Sequence, residues 1–169
     1  MITKQDIKDL YEWAKVTKFP LYKLHNPKPY SNNLIDYSWN KLVNRKNRTL
    51  IRKKFMNEKI IKIHENHEIL WSAIGVFYAG TKVEKHKDPD IFSEPYKRIQ
   101  IPIKIPDEEK CYMIWEDGRK THWKEGEPQL HYVMDLVHEG HNYSDEEMIF
   151  LMLDIKKSTE VIFGWIISI

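Results

Sequence analysis

The clearest pattern in the chain is a strict alternation over residues 98–106. Ile99, Ile101, Ile103 and Ile105 fall on one side, and Arg98, Gln100, Pro102 and Lys104 on the other. A period of two predicts a β-strand. A surface strand would read the same way, and Pro102 inside the run argues for a sheet edge or a bulge. Further short apolar runs surround it. Residues 68–79 (Leu70, Trp71, Ile74, Val76, Phe77, Tyr78), 111–115, 129–136 and 148–154 read as strands, and the apolar run 161–169 as a closing strand. Glu116-Asp117-Gly118-Arg119 and Glu125-Gly126-Glu127-Pro128 join neighbouring runs, and Asp-Gly is a strong hairpin signal. Many short strands separated by turns fit a sandwich or jelly roll better than alternating strands and helices.

The first part of the chain reads differently. Thr3 with Asp6 forms a possible capping box, and Ile7, Leu10, Tyr11 and Ala14 fall on one face of a helix over residues 3–15. Residues 19–24 are a short extended run, and 25–33, rich in Pro, Asn and Ser, are a loop. From Tyr37 to about Ile63 the pattern turns helical, with a break near Asn44 to Asn47. The expected architecture is mainly β, of α+β type: one domain over 1–169, with a mostly helical region at 1–67 packed outside a jelly-roll core at 68–169.

Composition narrows the class. The 169 residues suit a single domain, and a hydrophobic share of 41% with six Trp suits a globular one. The single cysteine, Cys111, excludes an internal disulfide, suits a reducing compartment, and reads as a buried structural thiol. Charges rather than an apolar h-region follow Met1, and no run of about 18 apolar residues occurs. The expectation is a cytoplasmic protein with no membrane partner. Residues 1–70 hold 15 basic against 7 acidic side chains and 71–169 hold 12 against 18, so the net charge of +2 hides an asymmetry. Lys41, Arg45, Lys46, Arg48, Arg52, Lys53 and Lys54 make 41–54 a candidate nucleic-acid or phosphate footprint, with Tyr37 and Trp39 able to stack on a base. A solvated helix face is the commoner meaning of such a segment.

Candidate chemistry lies in His86-Lys87-Asp88 and, about fifty residues on, His138. Two residues apart on an extended chain, His86 and Asp88 point the same way, and a non-local strand pairing would bring His138 beside them. Two His and one carboxylate on one face of a metal, with the other face open, is the ligand set of non-haem ferrous oxygenases. Both segments also read as polar turns, 86–90 closed by Pro89 and 138–142 built on Gly140 and Asn142. A zinc-protease reading of His138-Glu139-Gly140-His141 fails, because that motif sets its histidines four apart on a helix and these are three apart.

Gly80-Thr81-Lys82-Val83-Glu84-Lys85-His86, the alternating run from Arg98 to Pro106, Cys111, Trp123-Lys124-Glu125-Gly126-Glu127, and Val137-His138-Glu139 with Leu153-Asp154-Ile155 together resemble the aspartyl/asparaginyl β-hydroxylases in order and spacing. The resemblance spans roughly residues 75–155. It implies a double-stranded β-helix (jelly roll, cupin-like), ferrous iron held by His86 and His138, and 2-oxoglutarate as co-substrate. Arg98 matches an arginine, and Gln100 a histidine, that contact the co-substrate in that family.

The chain departs from the family pattern in three ways. Asp88 stands where well-known members have glycine, which points to a site with a carboxylate ligand. Met148 replaces an arginine that clamps the far carboxylate of 2-oxoglutarate. Val133 and Met134 replace paired aspartates before the distal histidine, with Asp135 beside them. A buried carboxylate needs a partner, which leaves Arg98 and Lys104 as candidate anchors. They lie six residues apart, roughly 20 Å along a strand, so Arg98 is expected to hold the co-substrate and Lys104 to sit at the rim. The expected function is an iron(II)- and 2-oxoglutarate-dependent dioxygenase that hydroxylates an amino-acid, peptidyl or other small substrate with O₂, releasing succinate and CO₂. The alternatives are a jelly-roll binding module without turnover, for which Met148 speaks, or a dioxygenase acting on nucleic acid through 41–54.

Overall fold

In chain order the elements are β1 (Ile2–Thr3), α1 (Lys4–Val16), β2 (Tyr37–Lys41), a 3-10 turn (Lys53–Phe55), α2 (Glu58–Asn66), β3 (Ile69–Phe77), β4 (Lys82–His86), β5 (Tyr96–Lys104), β6 (Cys111–Trp115), β7 (Lys120–His122), β8 (Gln129–His131), β9 (His138–Asn142), β10 (Met148–Lys156) and β11 (Val161–Ile162). They come from a computed structural model that describes residues 1–17, 37–43, 50, 52–66, 69–89 and 94–162. One sheet has the order β2-β3-β10-β5-β8 and the other β4-β9-β6-β7, while β1 and β11 form a small parallel pair. From β3 onward the chain passes back and forth between the two antiparallel sheets. That winding is a double-stranded β-helix, the jelly roll the strand pattern predicts.

The alternation in β5 turns out to have two buried sides. Ile99, Ile101 and Ile103 join Leu151, Leu153 and Ile155 of β10 beneath Ile7, Leu10, Trp13 and Ala14 of α1 and Ile60 and Ile63 of α2. Full burial of each such side chain is worth about 1.5–3 kcal/mol, so this seam fixes the helices outside the larger sheet. On the other side Met148, Phe150 and Met152 of β10 meet Cys111, Met113 and Trp115 of β6, together with Trp123. Arg98 and Gln100 therefore face the interior between the sheets, and both are buried. Pro102 is accommodated by a register shift between Ile149 and Phe150 on the neighbouring strand. Of the two readings of Pro102 the bulge holds. β5 is not an edge strand, but β8 pairs it only over Arg98 to Gln100 and stops short of the proline.

α1 begins as its sequence predicts, with Thr3 and Asp6 closing a reciprocal capping box. Lys15 and Tyr11 tie the helix to Glu125. The β6–β7 hairpin turns at Gly118, whose φ of +83° suits a residue without Cβ. Cys111 is buried with its thiol 3.5 Å from Asn142 Oδ1.

Two expectations are corrected. Residues 37–41 are not helical. β2 pairs β3 residue by residue, Tyr37 with Phe77 to Lys41 with Ala73, because the open edge of β3 offers backbone partners that outweigh a weak helical period. Among the described residues that follow, a 3-10 turn at Lys53–Phe55 precedes α2, which begins at Glu58 with Asn57 accepting the Ile60 N–H. The strand expected over 129–136 ends at His131, and the chain turns through 132–136 with Asp135 and Leu136 both bonded to the Tyr132 carbonyl. The segments expected at 19–24, 25–33 and 163–169, and residues 44–49 and 51 of the basic segment, lie outside the described residues. Among those described, no helix is long and apolar enough to cross a membrane.

Candidate metal centre

His86 ends β4, and His138 opens β9 directly opposite it in the antiparallel pairing. Asp88 lies just beyond β4, where its N–H donates to the Val133 carbonyl at 3.0 Å. The His138 segment is thus a strand rather than the polar turn it could have been. One ligand atom from each of His86, Asp88 and His138 lies within 4.8 Å of the others. His86 Nε2 is 3.2 Å and His138 Nε2 3.7 Å from Asp88 Oδ1.

Both histidines are oriented by the same device. Nδ1 of His86 contacts the Glu84 carbonyl at 2.6 Å, and Nδ1 of His138 contacts the Leu136 carbonyl at 3.1 Å. A proton on Nδ1 donates to each carbonyl, which leaves the Nε2 lone pairs aimed at one point. Asp88 is oriented from the far side, with Arg98 Nη1 2.6 Å from Oδ2. That leaves Oδ1 for the centre. His138 and Asp88 are almost covered, whereas 37% of the His86 side chain is exposed, so the cluster opens on the His86 side.

Burial pushes the Asp88 carboxyl up, but Arg98 and the hydrogen bond to His86 outweigh it and hold it down to about 2. The bond to Asp88 raises His86 above its ordinary value, with burial acting against it. Burial lowers His138. Two carboxylates, Asp88 and Asp154, face one guanidinium in this buried region, and without its Nε2 proton His86 would turn a second lone pair, beside that of His138, toward the same carboxylate oxygen. A divalent cation relieves that concentration of negative potential. Two His and one carboxylate with an open side is a donor set suited to ferrous iron.

The expected co-substrate residues are placed unequally. Arg98 lies inside, but it is engaged: Nε and Nη2 donate to Asp154 Oδ1 and Oδ2 at 2.7 and 3.0 Å, and its guanidinium lies 5.5 Å from the Trp71 ring centre. With Nη1 on Asp88, one N–H on each terminal nitrogen remains. Arg98 is therefore first of all a brace between two carboxylates, and a co-substrate anion would meet only its outer donors. Gln100 is interior and accepts from Trp123 Nε1 at 3.0 Å. Lys104 pairs with Glu146 and Glu147 at 2.8 and 3.1 Å and is 36% exposed, so it turns outward and brings no cation inside. Met148 is buried among Phe150, Met152 and Trp123. Asp135 points outward to Lys157, 2.7 Å away, so the Leu136 carbonyl, not an aspartate, orients His138.

Two interior residues were given no role of their own by the sequence reading. Asp154 is fully buried and partners Arg98 in the β5–β10 register. Its signal was available, as the one charge inside the apolar run 148–155. His131, 1% exposed, is the cross-strand partner of Arg98 on β8, and neither of its ring nitrogens has a hydrogen-bond partner. Its ring centre is 5.3 Å from Trp115, which lies 5.7 Å from His138. Burial, with the nearby His138 and Arg98, pushes His131 down to about 3.

The sequence profile of the aspartyl/asparaginyl beta-hydroxylases matches residues 9–158. No curated protein sequence matches the chain. Among solved structures, the DMSP lyase DddQ from Ruegeria pomeroyi is similar at 12% identity and a TM-score of 0.49, over 85% of this chain and 58% of that one. A predicted oxalate decarboxylase from Thermotoga maritima is similar at 14% and 0.44, over 71% and 80%. A cupin domain from Bordetella pertussis follows at 16% and 0.40, over 51% and 80%. The chain spans 48% and 58% of the lengths of two DMSP lyase chains it resembles. None of these likenesses extends beyond the fold.

Proposed function

The chain belongs to the aspartyl/asparaginyl beta-hydroxylase family, and from that premise we propose that it is an iron(II)- and 2-oxoglutarate-dependent dioxygenase that hydroxylates an amino-acid, peptidyl or other small substrate. The observation that carries this reading is the convergence of His86, Asp88 and His138 within 4.8 Å, each already oriented by a partner outside the cluster. Bound together, iron and 2-oxoglutarate supply the oxidising power: the co-substrate leaves as succinate and CO₂, and one atom of O₂ enters a C–H bond of the substrate.

The chain's own residues do the placing. His86 and His138 offer Nε2 because their Nδ1 protons are committed to backbone carbonyls, so little reorganisation accompanies metal entry. Asp88 offers Oδ1 because Arg98 holds Oδ2, and the same contact keeps the carboxylate ionised. His86 must give up its proton before it can donate a lone pair to a metal. Trp71 and Trp115 wall the buried side against water. The interior also fits an anion, through the two remaining N–H groups of Arg98 and the unpartnered imidazole of His131.

The test is succinate formation from 2-oxoglutarate after addition of iron(II) under air, with and without a panel of amino acids and peptides, using Asp88→Ala as control. Turnover above the Asp88→Ala background supports the reading. A protein that binds iron but consumes no 2-oxoglutarate under any of these conditions would instead be a jelly-roll binding module.

A further inference from the structure

We infer that His131, level with Arg98 and six residues along the sheet from Met148, is the residue that receives the distal carboxylate of the co-substrate. The inference rests on the 2-oxoglutarate reading above and deepens it. Its starting point is an imidazole that costs the fold stability. His131 is 1% exposed, yet neither ring nitrogen has a hydrogen-bond partner, and burial of an unpaired polar group is unfavourable where an apolar side chain of similar volume would not be.

Its direction is given by the strand register. His131 stands opposite Arg98 across the β5–β8 pairing, so the two side chains share the inward face of the larger sheet. Across the interior its ring meets Trp115, which also packs on His138. The imidazole is therefore one indole removed from His138 and stands beside the Arg98 that holds Asp88.

The ligand chemistry follows from what the interior lacks. A 2-oxo dicarboxylate chelating the metal through its keto-acid end leaves its other carboxylate inside the barrel. Met148 offers no donor there, Lys104 is outside, and three of the five Arg98 N–H groups serve Asp88 and Asp154. A neutral His131 presents one N–H, and that bond would remove the unpaired donor and the unpaired carboxylate together.

The experiment compares 2-oxoglutarate with 2-oxopentanoate, which has a methyl group where 2-oxoglutarate has its distal carboxylate. Iron(II)-loaded protein is titrated with each acid without oxygen, following the visible charge-transfer absorption of a 2-oxo acid chelated to ferrous iron. Wild type should favour 2-oxoglutarate about tenfold or more, since a hydrogen bond to a charged group is of that strength. His131→Leu should lose that preference while binding 2-oxopentanoate as before, and His131→Gln, which keeps a donor, should retain part of it. Equal affinity of the wild type for the two acids overturns the inference without needing any variant to fold. So does a His131→Leu protein that keeps the preference or weakens on both acids alike. Failure of iron-loaded wild type to chelate either acid would instead sink the 2-oxoglutarate reading itself.

Discussion

Arg98 grips Asp154 through two parallel hydrogen bonds, Nε to Oδ1 and Nη2 to Oδ2, from adjacent strands and with both residues buried. Its third contact, Nη1 to Asp88 at 2.6 Å, makes this pair the support on which the metal cluster stands. The sequence alone made Arg98 a co-substrate anchor. The structure gives it a prior task.

Arg98→Ala should therefore destabilise the protein by about 3–5 kcal/mol, because it strands the Asp154 carboxylate in the interior. Iron affinity should fall with it as Asp88 loses its brace. The double substitution Arg98→Met with Asp154→Leu should recover part of that stability, since an apolar pair replaces the Arg98–Asp154 ion pair while Asp88 still loses its partner. Urea unfolding of the three proteins decides this. A double variant as unstable as Arg98→Ala would mean that the pair is not the structural support described here.

Metal binding should strengthen as pH rises. The bond to Asp88 raises His86 above its ordinary value, so below that raised value a metal must displace a proton from Nε2. Apparent iron(II) affinity should climb with pH through that value and then level off. In Asp88→Ala the pH at which it levels should move down, and the affinity itself should drop. Anaerobic metal titrations over the range from about pH 6 to about pH 8, bracketing ordinary histidine titration, would show it; an affinity flat across that range would contradict it.

His131 predicts a different pH dependence, in the metal-free protein. Its folded value of about 3 lies below the ordinary 6.5, so the unfolded chain binds the extra proton. Stability is complete above the ordinary value and is lost as pH falls through the window down to about 3. At about 1.4 kcal/mol per pH unit, a fall of about two units costs on the order of 2–3 kcal/mol. His86 and Asp88 titrate in both proteins, so the difference in slope between wild type and His131→Leu isolates this residue. Identical slopes would show that His131 is not buried in its neutral form.

Lys104→Ala should change little. The side chain is 36% exposed and shared between Glu146 and Glu147, and such surface pairs are worth about 0–1 kcal/mol. Co-substrate affinity should be unaltered, and a marked loss would move the anion site to the rim.

The sequence carried the fold where local pattern and tertiary packing agree. The alternating isoleucines of β5 and the capping box of α1 predict their elements because the same residues that set the period also meet the core. Residues 37–41 misled because their partner, the edge of β3, is invisible to any local window. The convergence of His86, Asp88 and His138 was legible because His86 and Asp88 are two residues apart in the chain and His138 falls in a segment that resembles the family pattern. What holds the trio was not. The carbonyls of Glu84 and Leu136 have no side-chain signature, Asp154 shows in the sequence only as one charge in an apolar run, and His131 acquires meaning through the register that sets it beside Arg98.

That His86 is the last residue of β4 gives the metal a mechanical part to play. Among the described residues β4 is the outermost strand of its sheet, joined to β9 alone and through an irregular register between Val83 and His86. An ion gripped by His86 on the outer strand and His138 on the inner one would act as a clasp at the weak end of that ladder. Backbone amides of β4 should then exchange with solvent freely in the empty protein and slowly in the loaded one, while those of β5 and β10 exchange alike in both. Occupancy of the site would thus be readable from the closure of one margin of the barrel.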